Sequence, residues 1–153
     1  EVRVVLGKKQ FCSDAEEELL LSAIYESEKT TSAELRLHIT FSKSISDPLK
    51  SAKQVFHGLR MHKTKLRNAA LIYVAPVARV ACIYGDEGIH KFVGNDGWKA
   101  ILDQMLVHFS KSPENLYLGL DYAIRAVGER LAMHFPVSGP NPNELSNEIT
   151  TSD

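Results

Sequence analysis

Residues Asn68–Asp96 read NAALIYVAPVARVACIYGDEGIHKFVGND, and the order of elements inside that run decides the fold. Ala69–Ala75 is continuously apolar, as a central strand covered on both faces has to be. Ala75-Pro76-Val77-Ala78 is short enough for a tight connection, and a proline at 76 suits a turn better than a ladder. Arg79–Tyr84 then returns as the antiparallel partner in a β-hairpin. After Gly85 the carboxylates gather: Asp86, Glu87 and, further on, Asp96. Asp86 is an N-cap for a short helix through Phe92 or Val93, and Gly94-Asn95-Asp96-Gly97 reads as a loop before the next helix.

Upstream of the hairpin, Ser13 with Glu16 three residues later is a capping box, and Asp14, Glu16, Glu17 and Glu18 suit the positive end of a helix dipole. Leu20, Ala23 and Ile24 give that helix its buried stripe, fading near Lys29 and Thr30. Ala33–Phe41 alternates. Leu35, Leu37, Ile39 and Phe41 point one way, while Glu34, Arg36, His38 and Thr40 point the other, which predicts a strand with one hydrated or only partly covered face. Asp47-Pro48 opens a second helix carrying Leu49, Ala52, Val55, Phe56 and Leu59 at helical spacing. From Lys50 to Arg67 the chain holds Lys50, Lys53, Arg60, Lys63, Lys65 and Arg67 without an acid. A solvated helix face explains such a run, and an anion-binding edge is the sharper reading. Nucleic acid is not expected, because the run lacks aromatics to stack on bases.

Downstream, Trp98, Ile101, Leu102, Met105, Leu106 and Phe109 form a wide helical stripe. A last helix begins at Ser112-Pro113 and carries Tyr117, Leu120, Ile124, Val127 and Leu131 to an end near Phe135-Pro136. The ends are plainer: residues 1–10 read as a flexible lead-in or short edge strand. Residues 137–153, VSGPNPNELSNEITTSD, read as a disordered polar tail. Residues 11–136 are thus expected to form a single domain.

The chain has 153 residues, 44% apolar and 24% charged, with a formal charge of −1, which is ordinary for a globular protein and steers toward no charged partner. Two cysteines, Cys12 and Cys82, give no disulfide framework and no cysteine zinc site. No apolar run approaches the ~20 residues of a membrane span, so a cytoplasmic protein is the default expectation. The chain starts at Glu rather than Met, as a fragment or a processed product would.

The element order implies a three-layer α/β/α sandwich, Rossmann-like, on a small mixed sheet with one β-hairpin. The first two strands are parallel, joined by a crossover helix, and the third runs back. Glu34 opens the first strand, Thr64, Arg67 and Asn68 open the second, and Asp86 and Glu87 follow the third. All should meet at one edge of the sheet, with Asp96 folding over it. Carboxylates and an amide carbonyl are hard oxygen donors suited to Ca²⁺ or Mg²⁺, although they do not fall in the single run of about 12 residues that an EF-hand needs. Each also has a plain role: Asp86 and Asp96 as caps, Glu34 as an ion-pair partner for Arg67.

Three blocks, SAELRLHITF, AKQVFHGLRMHKTKLRNAALIYVAPVARVACIYGDEGIHKFVGNDGW and LGLDYAIRAVGERLAMHFP, together resemble the TPM-domain family, which includes thylakoid-lumen acid-phosphatase-like and bacterial proteins. The likeness covers roughly residues 11–136. It implies a Rossmann-like sandwich, often able to bind Ca²⁺ or another divalent ion, with phosphatase activity in some plant members. The matching positions are Glu34, Thr64, Arg67, Asn68, Asp86 and Asp96. Three functions follow as expectations. One is a non-catalytic cation-binding module with Asp86, Glu87, Asp96 and Glu34 as ligands and Thr64, Arg67 and Asn68 in support. Another is a metal-assisted acid phosphatase acting on a phosphate ester, in which Arg67 or Lys65 neutralises developing charge. The third is a protein-interaction surface around Lys63, Lys65 and Arg67.

Overall fold

The structure, a computed structural model, describes residues 11–111, 116–137 and 149–153. Helix α1 (Asp14–Glu28) begins at the expected capping box, with the Ser13 hydroxyl accepting from the Glu16 amide and the Glu16 carboxylate accepting from the Ser13 amide. Strand β1 (Leu35–Thr40) follows, then α2 (Pro48–Gly58), whose N-cap Asp47 accepts from the Lys50 amide at 3.1 Å. A 3₁₀ turn (Met61–Lys63) leads toward β2 (Ala70–Ala75) and β3 (Val80–Gly85), which form the hairpin. Helices α3 (Glu87–Lys111) and α4 (Tyr117–His134) and a short strand β4 (Ile149–Ser152) complete the order. The expected start of α4 at Ser112-Pro113 and the reading of residues 1–10 lie outside the described residues.

The sheet runs β3-β2-β1-β4, with β1 parallel to both β2 and β4 and β3 antiparallel to β2. Its register sets Leu35 beside Ala70 and Ala70 beside Gly85, so the starts of β1 and β2 and the end of β3 do lie side by side. Leu35, Leu37 and Ile39 of β1 and Ile72 and Val74 of β2 face a core closed by α1, α3 and α4. On the other face Ala52 and Phe56 of α2, with Met61, cover Leu71 and Tyr73. Helices on both faces make the α/β/α sandwich. Each large side chain fully buried in these layers contributes about 1.5–3 kcal/mol. Among the described residues no helix is long and apolar enough to cross a membrane.

Three expectations change. The polar side of β1 is not hydrated: Glu34, Arg36, His38 and Thr40 are all buried. For His38 and Thr40 the reason is β4, which pairs with Leu37–Thr40, makes β1 an internal strand there and sets hydroxyls beside His38, while Glu34 and Arg36 lie beside Glu28 at the end of α1. The His38 ring nitrogens lie 2.7 Å from Thr150 Oγ1 and 2.9 Å from Ser152 Oγ, and the ring stacks on Tyr73. β4 is itself the second correction, because Ile149–Ser152 belong to the segment read as a disordered tail. Its pairing shows why: Ile149 is buried in the core, and the Phe41 amide donates to the Ser152 carbonyl at 2.8 Å. Third, the loop expected at 94–97 shrinks to a break at one residue. Gly94 alone leaves helical geometry, with φ of 71°, and the helix resumes at once.

Candidate functional site

The site is built by a turn. Arg67 donates its amide to the Thr64 carbonyl and Asn68 donates to the Thr64 hydroxyl, each at 3.3 Å, with Thr64 and Asn68 both buried. Arg67 sits in the left-handed region, φ 52°, an uncommon place for a residue with a Cβ. Two further bonds dock this turn on the hairpin. Asp86 donates its amide to Ala69 at 2.9 Å, and Gly88 donates to the Arg67 carbonyl at 2.7 Å. Gly88 is required here, since a Cβ would run into the backbone oxygens of Leu66 and Arg67.

The guanidinium is thereby laid on the carboxylates that follow β3. Arg67 Nε donates to Asp86 Oδ2 at 2.7 Å and Nη2 to Oδ1 at 2.9 Å, the bidentate fork that suits a planar carboxylate. Nη1 lies 3.1 Å from Glu87 Oε1. Asp86 Oδ1 also accepts the Glu87 amide at 2.8 Å, and its carbonyl accepts from Ile89 and His90, so the residue caps α3 as expected while serving the cluster. Exposure divides the three sharply: the side chain of Asp86 is 3% exposed, Arg67 43% and Glu87 74%. Hydrogen bonding to Asp86, reinforced by its charge and that of Glu87, pushes the Arg67 guanidinium further toward its protonated form.

In front of the cluster is a groove of about 530 Å³. Arg67, Asp86 and Glu87 close one end, Lys53 reaches in from α2, and His90 and Trp98 line the α3 side. The indole N–H of Trp98 donates to His90 Nδ1 at 3.1 Å, fixing both rings. Sequence reasoning missed Lys53, Tyr84, His90 and Trp98 as groove residues. Only the strand order, which among the described residues makes β3 an edge, brings them to one surface.

The remaining expected ligands lie elsewhere. Asp96 is exposed on α3, and Glu34 is buried beside Glu28 and Arg36; neither lines the groove. Arg67 pairs with Asp86 and Glu87, where Glu34 was its expected partner. The charge of Glu34 acts instead on Glu28, whose carboxyl burial and Glu34 push up to about 8 against the opposing Leu35 amide and Arg36. Among the described residues no set of three or more His, Cys, Asp or Glu side chains is gathered to hold a metal ion.

A family model described as the TPM domain matches residues 5–130. No curated protein matches the chain significantly. Among solved structures, the NMR structure of the BA42 protein from the psychrophilic bacterium Bizionia argentinensis is 35% identical, with a TM-score of 0.84 over 96% of this chain and 99% of that one. The solution NMR structure of an N-terminal domain from P. gingivalis is 17% identical, with a TM-score of 0.59 over 84% of this chain and 83% of that one, a likeness of fold alone.

Proposed function

The chain belongs to the TPM-domain family, and from that premise we propose that it is a non-catalytic divalent-cation-binding module centred on Asp86 and Glu87. The observation that carries this reading is the contrast within the cluster. A buried aspartate, already oriented by a backbone N–H, is neutralised by a guanidinium that is nearly half exposed. The donors are hard oxygens of the kind Ca²⁺ and Mg²⁺ take. Arg67 holds both oxygens of Asp86, so a cation competes with it and brings twice the charge to the same carboxylates. With two side-chain ligands and the rest of the shell left to water or backbone, affinity falls in the weak range, about 10⁻⁴–10⁻³ M.

Hydrolysis is less well supported. A metal-assisted phosphatase would ask Arg67 to neutralise a phosphate, and Arg67 is committed to two carboxylates. The test is a Ca²⁺ and Mg²⁺ titration followed by amide shifts. Residues 85–88 and the Arg67 Nε–H are expected to respond at millimolar ion. Asp86→Asn should abolish the response, and Arg67→Gln, which removes the competing cation, should shift it to lower ion concentration. No response in residues 85–88 refutes the proposal. Phosphate-ester hydrolysis that disappears in Asp86→Asn would replace it with the catalytic reading.

A further inference from the structure

We propose that the outer edge of β3, the edge of the sheet among the described residues, binds an extended polypeptide segment of alternating apolar and acidic residues, which adds to the sheet as a further strand. Among the described residues β3 ends the order β3-β2-β1-β4, and none of them pairs with its outer side. The Asp86 amide donates inward to Ala69, and the alternation of an antiparallel ladder then turns Tyr84, Cys82 and Val80 toward β2. The N–H and C=O groups of Ala81, Ile83 and Gly85 face outward. Natural sheet edges are commonly blunted by proline, a bulge or charge. VACIYG carries no proline and no charge, and its register with β2 runs unbroken from Val80 to Gly85.

The surroundings of that edge have two unlike walls. The groove of about 530 Å³ borders Ile83–Gly85, and a second concavity of about 440 Å³ borders Arg79 and Val80. Leu102 of α3 lines the first and Leu106, about one helical turn on, lines the second with Phe109, so an apolar stripe runs along the α3 wall, with His90, Asn95 and Lys99 beside it in the first groove. The α2 wall presents one cation, Lys53, beside Leu49. Lys53 stands over the Tyr84 ring, 5.8 Å from its centroid, whereas the other charges of that groove are engaged: Arg67 with Asp86 and Glu87, Lys99 with Asp103 at 2.6 Å. Asp47, the nearby acid of α2, is bound to the Lys50 amide as its cap.

A strand presents alternate side chains to opposite faces. An occupant that fits both walls therefore sets apolar residues over Leu102 and Leu106 and carboxylates toward Lys53, while its backbone meets Ala81, Ile83 and Gly85. Strand addition to an open edge is an established mode of peptide capture, with affinity from the backbone and selectivity from alternate side chains. A second copy fits less well. Edge-to-edge pairing about a two-fold axis puts the α2 faces on the same side, and Lys53 of each copy approaches that of the other.

The probe is acetyl-EVEVEV-amide, with acetyl-KVKVKV-amide as its control, titrated into the ¹⁵N-labelled chain in EDTA so that cation binding plays no part. Saturable shifts over Val80–Gly85 and slowed exchange of the Ala81, Ile83 and Gly85 amides are expected, with the lysine peptide at least about tenfold weaker. Lys53→Glu should reverse that preference. Ala81→Pro, at a position whose N–H faces away from β2, should weaken binding while the β2–β3 cross-strand contacts persist. Absent or equal binding of the two peptides, shifts mapping away from β3, or an unchanged preference in Lys53→Glu would each overturn the proposal. So would shifts over β3 that depend on protein concentration without peptide, which would make a second copy the occupant.

Discussion

Gly88 decides how closely the Thr64–Arg67 turn approaches the start of α3, and through it the position of one guanidinium. Its amide holds the Arg67 carbonyl, and the space a Cβ would need is occupied by backbone, which cannot rotate away. Gly88→Ala is expected to push the turn outward, break the fork on Asp86 and destabilise the fold by about 1–3 kcal/mol, read as a lower urea midpoint at unchanged slope. An unchanged midpoint would mean that the turn yields freely. At this scale the sequence was informative about where residues gather and silent about whom they bind. Arg67 and Asp86 were legible as neighbours, because a hairpin returns the end of β3 to the start of β2. That Arg67 would grip Asp86 rather than Glu34 depends on a left-handed backbone at Arg67, and no local pattern marks an arginine for that conformation.

Elements carry the pH dependence. Burial pushes His38 on β1 down to about 4 from an ordinary 6.5, so between those values the unfolded chain binds the proton the folded one refuses. Its contribution to stability is complete above about pH 6.5 and lost as pH falls toward 4. Glu28 at the end of α1 behaves oppositely. Its carboxyl is raised from 4.5 to about 8, so its contribution is complete below 4.5 and lost as pH rises through 8. Thermal unfolding across pH 4–9 is expected to show both limbs. His38→Gln should flatten the acid limb alone, and Glu28→Gln, which keeps an acceptor for the Leu35 amide, should flatten the alkaline limb and raise stability at pH 9. Limbs that persist in the variants would assign them to other groups. Strand alternation told which residues of β1 share a face, and that held. It could not tell what lies over the face, because the neighbouring strand is ITTS, too short and polar for any periodicity to announce it.

For the whole molecule, the order β3-β2-β1 and the α/β/α layering were legible from one hairpin and one crossover helix. The fourth strand was not. Removing Ile149–Asp153 would empty the Ile149 site in the core, leave both His38 ring nitrogens without their hydroxyl neighbours and turn β1 into an edge. A fall in melting temperature on the order of 10 °C is expected by circular dichroism, several kcal/mol spread over a chain of this size. A fall of only a degree or two would make β4 an ornament of the sheet. The same strand also sets an order of events during synthesis. His38 and Thr150 stand 112 positions apart, so β4 leaves the ribosome after every other strand of the sheet has been made. The hairpin and the β1–β2 pair can form early, but β1 waits with an open ladder and an uncovered histidine until β4 has emerged. A chain released before that point carries a sticky, half-finished sheet of the kind that aggregates or attracts chaperones and proteases. Because the closing strand is the last of the four to be made, the sheet can be finished only when its other described strands are already in place.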